Sequence, residues 1–119
     1  MKVLLDNCVD WRVKRLLSSH DVSHAKDLGW TNLGNGRLLA EAANANFAAM
    51  ITVDKKIKYE QNLDELPLTV IEIDTPDSRL PAIAAIAQQI NQAITYAAQF
   101  RFVSIDQDGR IVTAAERIS

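Results

Sequence analysis

Two short apolar runs each stop on a carboxylate. Residues 2–5, Lys-Val-Leu-Leu, end at Asp6, and residues 48–52, Ala-Ala-Met-Ile-Thr, lead through Val53 to Asp54. Unbroken apolar runs of this length read as strands buried on both faces, the kind found in parallel sheets. If the two strands lie parallel and adjacent, both carboxylates reach the carboxyl edge of the sheet, where open α/β folds place ligands.

The remaining pattern alternates strands and helices. A first helix is expected over residues 8–18, with Asn7 as its cap, Asp10 in its first turn, and Val9, Val13, Leu16 and Leu17 on its inner face. Trp11 falls off that face, free to stack on a base, fill an interface or pack on a loop. Arg12, Lys14 and Arg15 make a basic outer side. A short strand at 21–25 runs into a Gly/Asn-rich connection, 26–36. A second helix at 35–46 buries Leu38, Leu39, Ala42 and Ala43. A polar stretch, 55–64, is one helical turn at most. A strand follows at 68–73, then one long helix from Pro81 to about Gln99 with Leu80, Ile83, Ala87, Ile90 and Ile94 as its stripe. The tail is a hairpin turning at Asp108-Gly109. Strands alternating with helices predict a mostly parallel sheet with right-handed crossovers, and the hairpin adds antiparallel pairing at one edge.

Bulk properties narrow the functions. A chain of 119 residues with 48% apolar content is one domain, residues 1–119. Its net charge of -2 excludes a whole-surface basic field, so a nucleic-acid partner would need a local patch or a metal. One cysteine, Cys8, makes no internal disulfide, which with the lack of a signal peptide or spanning segment points to the cytoplasm and away from membranes. Cys8 reads as a buried structural thiol, and His20 and His24 as surface histidines without helical zinc spacing.

Asp6 and Asp54 suit a hard divalent cation, which accepts one or two carboxylates plus substrate phosphate and stabilises charge on phosphate oxygens. A receiver-type α/β domain would also carry strand-end aspartates, but it wants an acidic pair after the first strand, where this chain has Asn7, and a lysine at a later strand end.

Val3-Leu4-Leu5-Asp6, Gly29-Trp30, Leu33, Asn35-Gly36, Leu38-Leu39, Phe47, Ile51-Thr52, Asp54, Tyr59 and Gln61-Asn62-Leu63 together resemble the PIN-like proteins of the DUF5615 type. These are relatives of the toxin ribonucleases of toxin–antitoxin pairs and of the Mut7-C domain. The resemblance covers residues 1 to about 75. It implies a three-layer α/β PIN-like fold with a mostly parallel central sheet, ending in a C-terminal helix and β-hairpin. It also implies a Mg²⁺- or Mn²⁺-dependent ribonuclease, the toxin component of such a pair, with RNA as substrate and a cognate antitoxin-like protein as partner. Asp6 and Asp54 then hold the metal and Asp27 joins them in catalysis, while Asn35, Lys55 and Arg12 contact the phosphate. The chain also departs from the pattern. Asn7 stands where the family has an acid, and Asn35-Gly36 where many members have Ser-Asp. Asp10 and Glu41 are the candidate stand-ins. The alternative is a catalytically degenerate PIN-like module that acts through protein binding or as a homodimer, for which the uncharged outer face of the long helix (Gln88, Gln92, Thr95, Gln99) is a candidate surface.

Overall fold

The computed structural model describes residues 1–117 of the chain. The elements are β1 (Lys2–Leu5), a 3-10 segment (Trp11–Leu17), β2 (Asp21–His24), a 3-10 turn (Ala25–Leu28), α1 (Asn35–Asn44), β3 (Ala49–Thr52), the single-turn α2 (Ile57–Glu60), β4 (Thr69–Asp74), α3 (Leu80–Ala84), α4 (Ala87–Thr95), β5 (Phe100–Asp106) and β6 (Ile111–Glu116). They build one six-stranded sheet in the order β2-β1-β3-β4-β5-β6. The first five strands are parallel and β6 returns antiparallel on β5. This is the three-layer α/β architecture with a mostly parallel sheet that the alternation of elements predicts.

Period-two burial sorts the strand residues into two cores. Val3, Leu5, Ile51, Ile71, Ile73, Val103 and Ile105 face the 3-10 segment and α3–α4, meeting Val13, Leu17, Ile83, Ile90 and Ile94. Leu4, Met50, Val70 and Phe102 face the other way, onto Leu38, Leu39 and Ala42 of α1 and Ile57 of α2. Both faces of the central strands are therefore dry, which is why they read as uninterrupted apolar runs.

Three expectations fail in instructive ways. The first helix is a 3-10 segment that starts only at Trp11, capped by Asp10 and not by Asn7; the Asp10 side chain accepts from the Arg12 amide. The cause is a distant tie. His24 Nε2 donates to the Val9 carbonyl at 2.8 Å, so that carbonyl is withdrawn from any helical ladder. Asn7 instead donates its side-chain amide to the Trp30 carbonyl. Next, the long helix from Pro81 breaks between α3 and α4. Ile86 leaves helical backbone (φ -115°, ψ 19°) yet is only 3% exposed, so burying its side chain outweighs an unbroken ladder.

The third concerns handedness. The connections β2→β3 and β3→β4 step in one direction across the sheet and pass over the α1–α2 face. The connection β4→β5 steps the same way but passes over the opposite face. It therefore has the opposite hand, and the crossovers cannot all be right-handed. The rule is statistical, and here the isoleucine stripe of α3–α4 covers Ile71, Ile73, Val103 and Ile105, which the short 3-10 segment leaves bare.

The hairpin forms as expected. Asp106 accepts from the amides of Asp108 and Arg110, and Gly109 supplies the positive φ of 80° that closes the turn. Near the end of β6, Ala115 takes a left-handed φ of 55°, a kink that blunts the free edge.

Candidate functional site: the carboxyl edge of the sheet

Asp6 and Asp54 do meet on one edge. Leu5 pairs with Ile51 across β1 and β3, and the Asp6 amide donates to the Ile51 carbonyl at 2.9 Å, which sets Asp6 opposite Thr52. Thr52 joins the two aspartates. Its hydroxyl donates to Asp6 Oδ2 at 2.8 Å and accepts from the Asp54 amide at 3.0 Å. Both carboxylates are occupied by internal donors. Asp6 Oδ1 accepts from the Asn7 amide at 2.7 Å, and Cys8 Sγ lies 3.5 Å from Oδ2. Asp54 Oδ1 accepts from the Lys56 amide at 2.9 Å, and Oδ2 from Asn35 Nδ2 at 3.2 Å. Asp6 is only 6% exposed.

Of the expected site residues, the fold thus gathers Asp6, Asp54 and Asn35. It sends the others elsewhere. Lys55 pairs with Asp74 at 3.4 Å. Arg12 and Asp27 line a cleft on the other side of the edge. Of the stand-ins, Asp10 caps the 3-10 segment and grips Arg12, and Glu41 lies in mid-α1, away from the Asn35 end.

The polar row extends further than sequence reading reached. Thr52 pairs with Glu72 and Glu72 with Ser104 in register, so Asp6, Thr52, Glu72 and Ser104 run across four adjacent strands. Glu72 is 1% exposed. Its Oε1 accepts from Lys58 Nζ at 3.2 Å and Ser104 Oγ at 3.0 Å, while Oε2 has no partner among the described residues. Desolvation pulls the Lys58 ammonium down, but the hydrogen bond and charge of Glu72 outweigh it and hold it above its ordinary value. One signal for Glu72 was present: a charged residue within a strand buried on both faces needs a partner.

Do these residues fit a Mg²⁺ or Mn²⁺ ion? The donor chemistry is right, since the groups are oxygens. Asp6 is enclosed and its oxygens serve the Asn7 amide and the Thr52 hydroxyl, and among the described residues no three His, Cys, Asp or Glu groups lie placed to hold a metal.

Two smaller expectations are also corrected. Cys8 is exposed as a residue, but its sulfur turns onto Asp6 and Thr52; partial burial, then the charge of Asp6, pushes the thiol up. His24 is buried, with Nδ1 accepting from the Lys26 amide while Nε2 holds Val9, so it serves as a structural tie.

The other side of the edge is an open cleft of about 900 Å³ between the turn after β1 (7–12), the residues around the end of β2 (24–27) and the loop before α3 (78–79). It carries Arg12, Lys26 and Arg79 beside Asp10 and Asp27, with Trp11 56% exposed.

No protein-family model matches the chain, and neither a curated protein nor a solved structure is similar enough to it to count as a match. Among the described residues no helix is long and apolar enough to cross a membrane.

Proposed function

We propose that this chain is a PIN-like module that has become catalytically degenerate and acts by binding a partner, not by metal-dependent hydrolysis of RNA. The observation that carries this reading is the enclosure of Asp6 by Thr52, the Asn7 amide and the Cys8 sulfur. Asp6 already accepts from the buried Thr52 hydroxyl and the part-buried Asn7 amide, and drawing it onto a metal would compete with those donors. The fold reading rests on the resemblance of residues 1–75 and on the adjacent strand-end aspartates.

The test pairs metal response with activity. Millimolar Mn²⁺ leaves the melting temperature of the wild-type chain unchanged, and wild type and Asp6→Asn behave alike toward RNA. A melting temperature that rises with Mn²⁺ in wild type but not in Asp54→Ala, together with cleavage lost in Asp6→Asn, would overturn the proposal. That result would restore the metal-dependent ribonuclease, the toxin half of a pair. Co-purification with the product of an adjacent reading frame identifies the partner.

A further inference from the structure

The cleft opposite the carboxylate row contains one arrangement twice. Asp10-Trp11-Arg12 and Asp77-Ser78-Arg79 are both aspartates placed two residues before an arginine, and both pairs open a helical segment. In each the arginine amide donates to the aspartate Oδ1 at 2.9 Å. In each Nε lies between the two carboxylate oxygens, at 3.1 and 3.3 Å in the first and 3.0 and 3.2 Å in the second. In each Nη2 donates to Oδ2, at 2.7 and 2.9 Å. Side-on gripping fixes a guanidinium while leaving its Nη1 group and the outer proton of Nη2 without a partner among the described residues. The grip favours one orientation of a long side chain, which lowers the ordering cost of presenting its outer donors. Both arginines line the same cleft, Arg79 with its side chain 84% exposed.

The aspartates neutralise much of each guanidinium's charge. The site therefore lacks the strong field that would draw any polyanion, and it offers directed hydrogen bonds instead. Beside Arg12 stands Trp11, 56% exposed, with the Arg15 guanidinium 5.1 Å from its ring centroid. The exposed Lys26 adds a cation to the cleft lining. An indole next to fixed guanidinium donors matches a ligand with a flat ring joined to a phosphate. The volume is that of a small-molecule site, about 300–1,000 Å³.

We infer that this cleft is a binding site for a free mononucleotide, with its base on Trp11 and its phosphate on the free edges of Arg12 and Arg79. The site rests on the binding reading above and names a ligand class for it. It adjoins the Asp6–Thr52–Glu72 row at Asn7 and Cys8, but the two readings fail distinguishably: Mn²⁺ response reports on the row and nucleotide titration on the cleft.

The test is a ¹⁵N NMR titration of the whole chain with AMP, alongside adenosine, inorganic phosphate and tetraadenylate. AMP shifts the Trp11 indole and the Arg12 and Arg79 Nε signals, and binds at least about tenfold more tightly than adenosine or phosphate alone. Arg79→Ala weakens AMP about tenfold and leaves adenosine unchanged. Trp11→Ala leaves AMP no better than phosphate. Both side chains are exposed, so each variant keeps the wild-type melting temperature, which confirms that the losses are local. Silence of those three signals at millimolar AMP would overturn the inference. So would equal affinity for phosphate and AMP, which marks a bare anion site, or tetraadenylate binding more than about tenfold tighter than AMP, which marks a strand site.

Discussion

The two sides of the sheet's carboxyl edge carry similar residues and use them in opposite ways. On the α1–α2 side, Asp6 and Glu72 are buried; Thr52 and Asn7 engage both oxygens of Asp6, and Lys58 and Ser104 engage Oε1 of Glu72. On the other side, Asp10 and Asp77 are half-buried and hold exposed arginines whose outer donors have no partner among the described residues. Charged residues at a strand edge do not by themselves make a site. What separates Asp6 and Glu72 from the arginine pairs is the unused hydrogen-bonding capacity that the guanidinium groups turn to solvent.

Substitutions that break the row should cost the most. Lys58→Met leaves the enclosed Glu72 carboxylate without its cation and lowers stability by about 3 kcal/mol in urea denaturation, and adding Glu72→Leu recovers most of that loss. A single-variant loss near zero would mean that Glu72 is not held by Lys58. Asp6→Ala orphans the Thr52 hydroxyl and the Asn7 amide and lowers stability by about 2 kcal/mol. A carboxylate kept for catalysis behaves in the opposite way, since removing it commonly stabilises a protein. The sign of this one measurement thus sharpens the contrast between the two regions.

The cleft side should respond to pH, with little change in melting. The hydrogen bond from the Arg12 side chain, then that from its amide, lowers Asp10 to about 2; the Arg79 side chain lowers Asp77 in the same way. A depressed carboxyl group contributes stability that is complete above its unfolded value and is lost as pH falls through its folded value. For Asp10 that window lies between about pH 4 and pH 2. NMR titration of Asp10 should show its low midpoint, and Arg12→Ala should return it toward the ordinary carboxylate value. An unchanged midpoint in that variant would break the clamp description.

The smallest expected effect lies at Cys8, which belongs to the first region although it borders the second. Its raised thiol makes it slow toward iodoacetamide at pH 8. Asp6→Asn removes the neighbouring charge and should speed alkylation by about twofold or more. Equal rates would separate Cys8 from the row.

Much of this architecture was readable in advance because its causes are local. Apolar runs halted by Asp6 and Asp54 are strands with polar ends, whatever surrounds them. The Asp108-Gly109 turn follows from the conformational freedom of glycine. The paired Asp10/Arg12 and Asp77/Arg79 units are also short-range, a spacing of two that the sequence reading passed over. The truncated first helix was not readable, since it depends on His24 reaching back to Val9 across fifteen positions. Nor was the enclosure of Asp6, because Thr52 is an ordinary strand residue until β1 and β3 are set side by side.

The amino-acid order alone determined which segments would be strands, and that two of them would end on aspartates; that those strands are neighbours came from the tertiary pairing. Periodicity and turn chemistry act over a few residues and need no long-range partner. The tertiary structure decided which polar groups are spent and which are spare. Saturation depends on what each oxygen or guanidinium meets from strands and loops far away in the chain. It placed Glu72 beneath Lys58, passed α3–α4 over the face that needed covering, and brought Arg12 and Arg79 to the lining of one cleft.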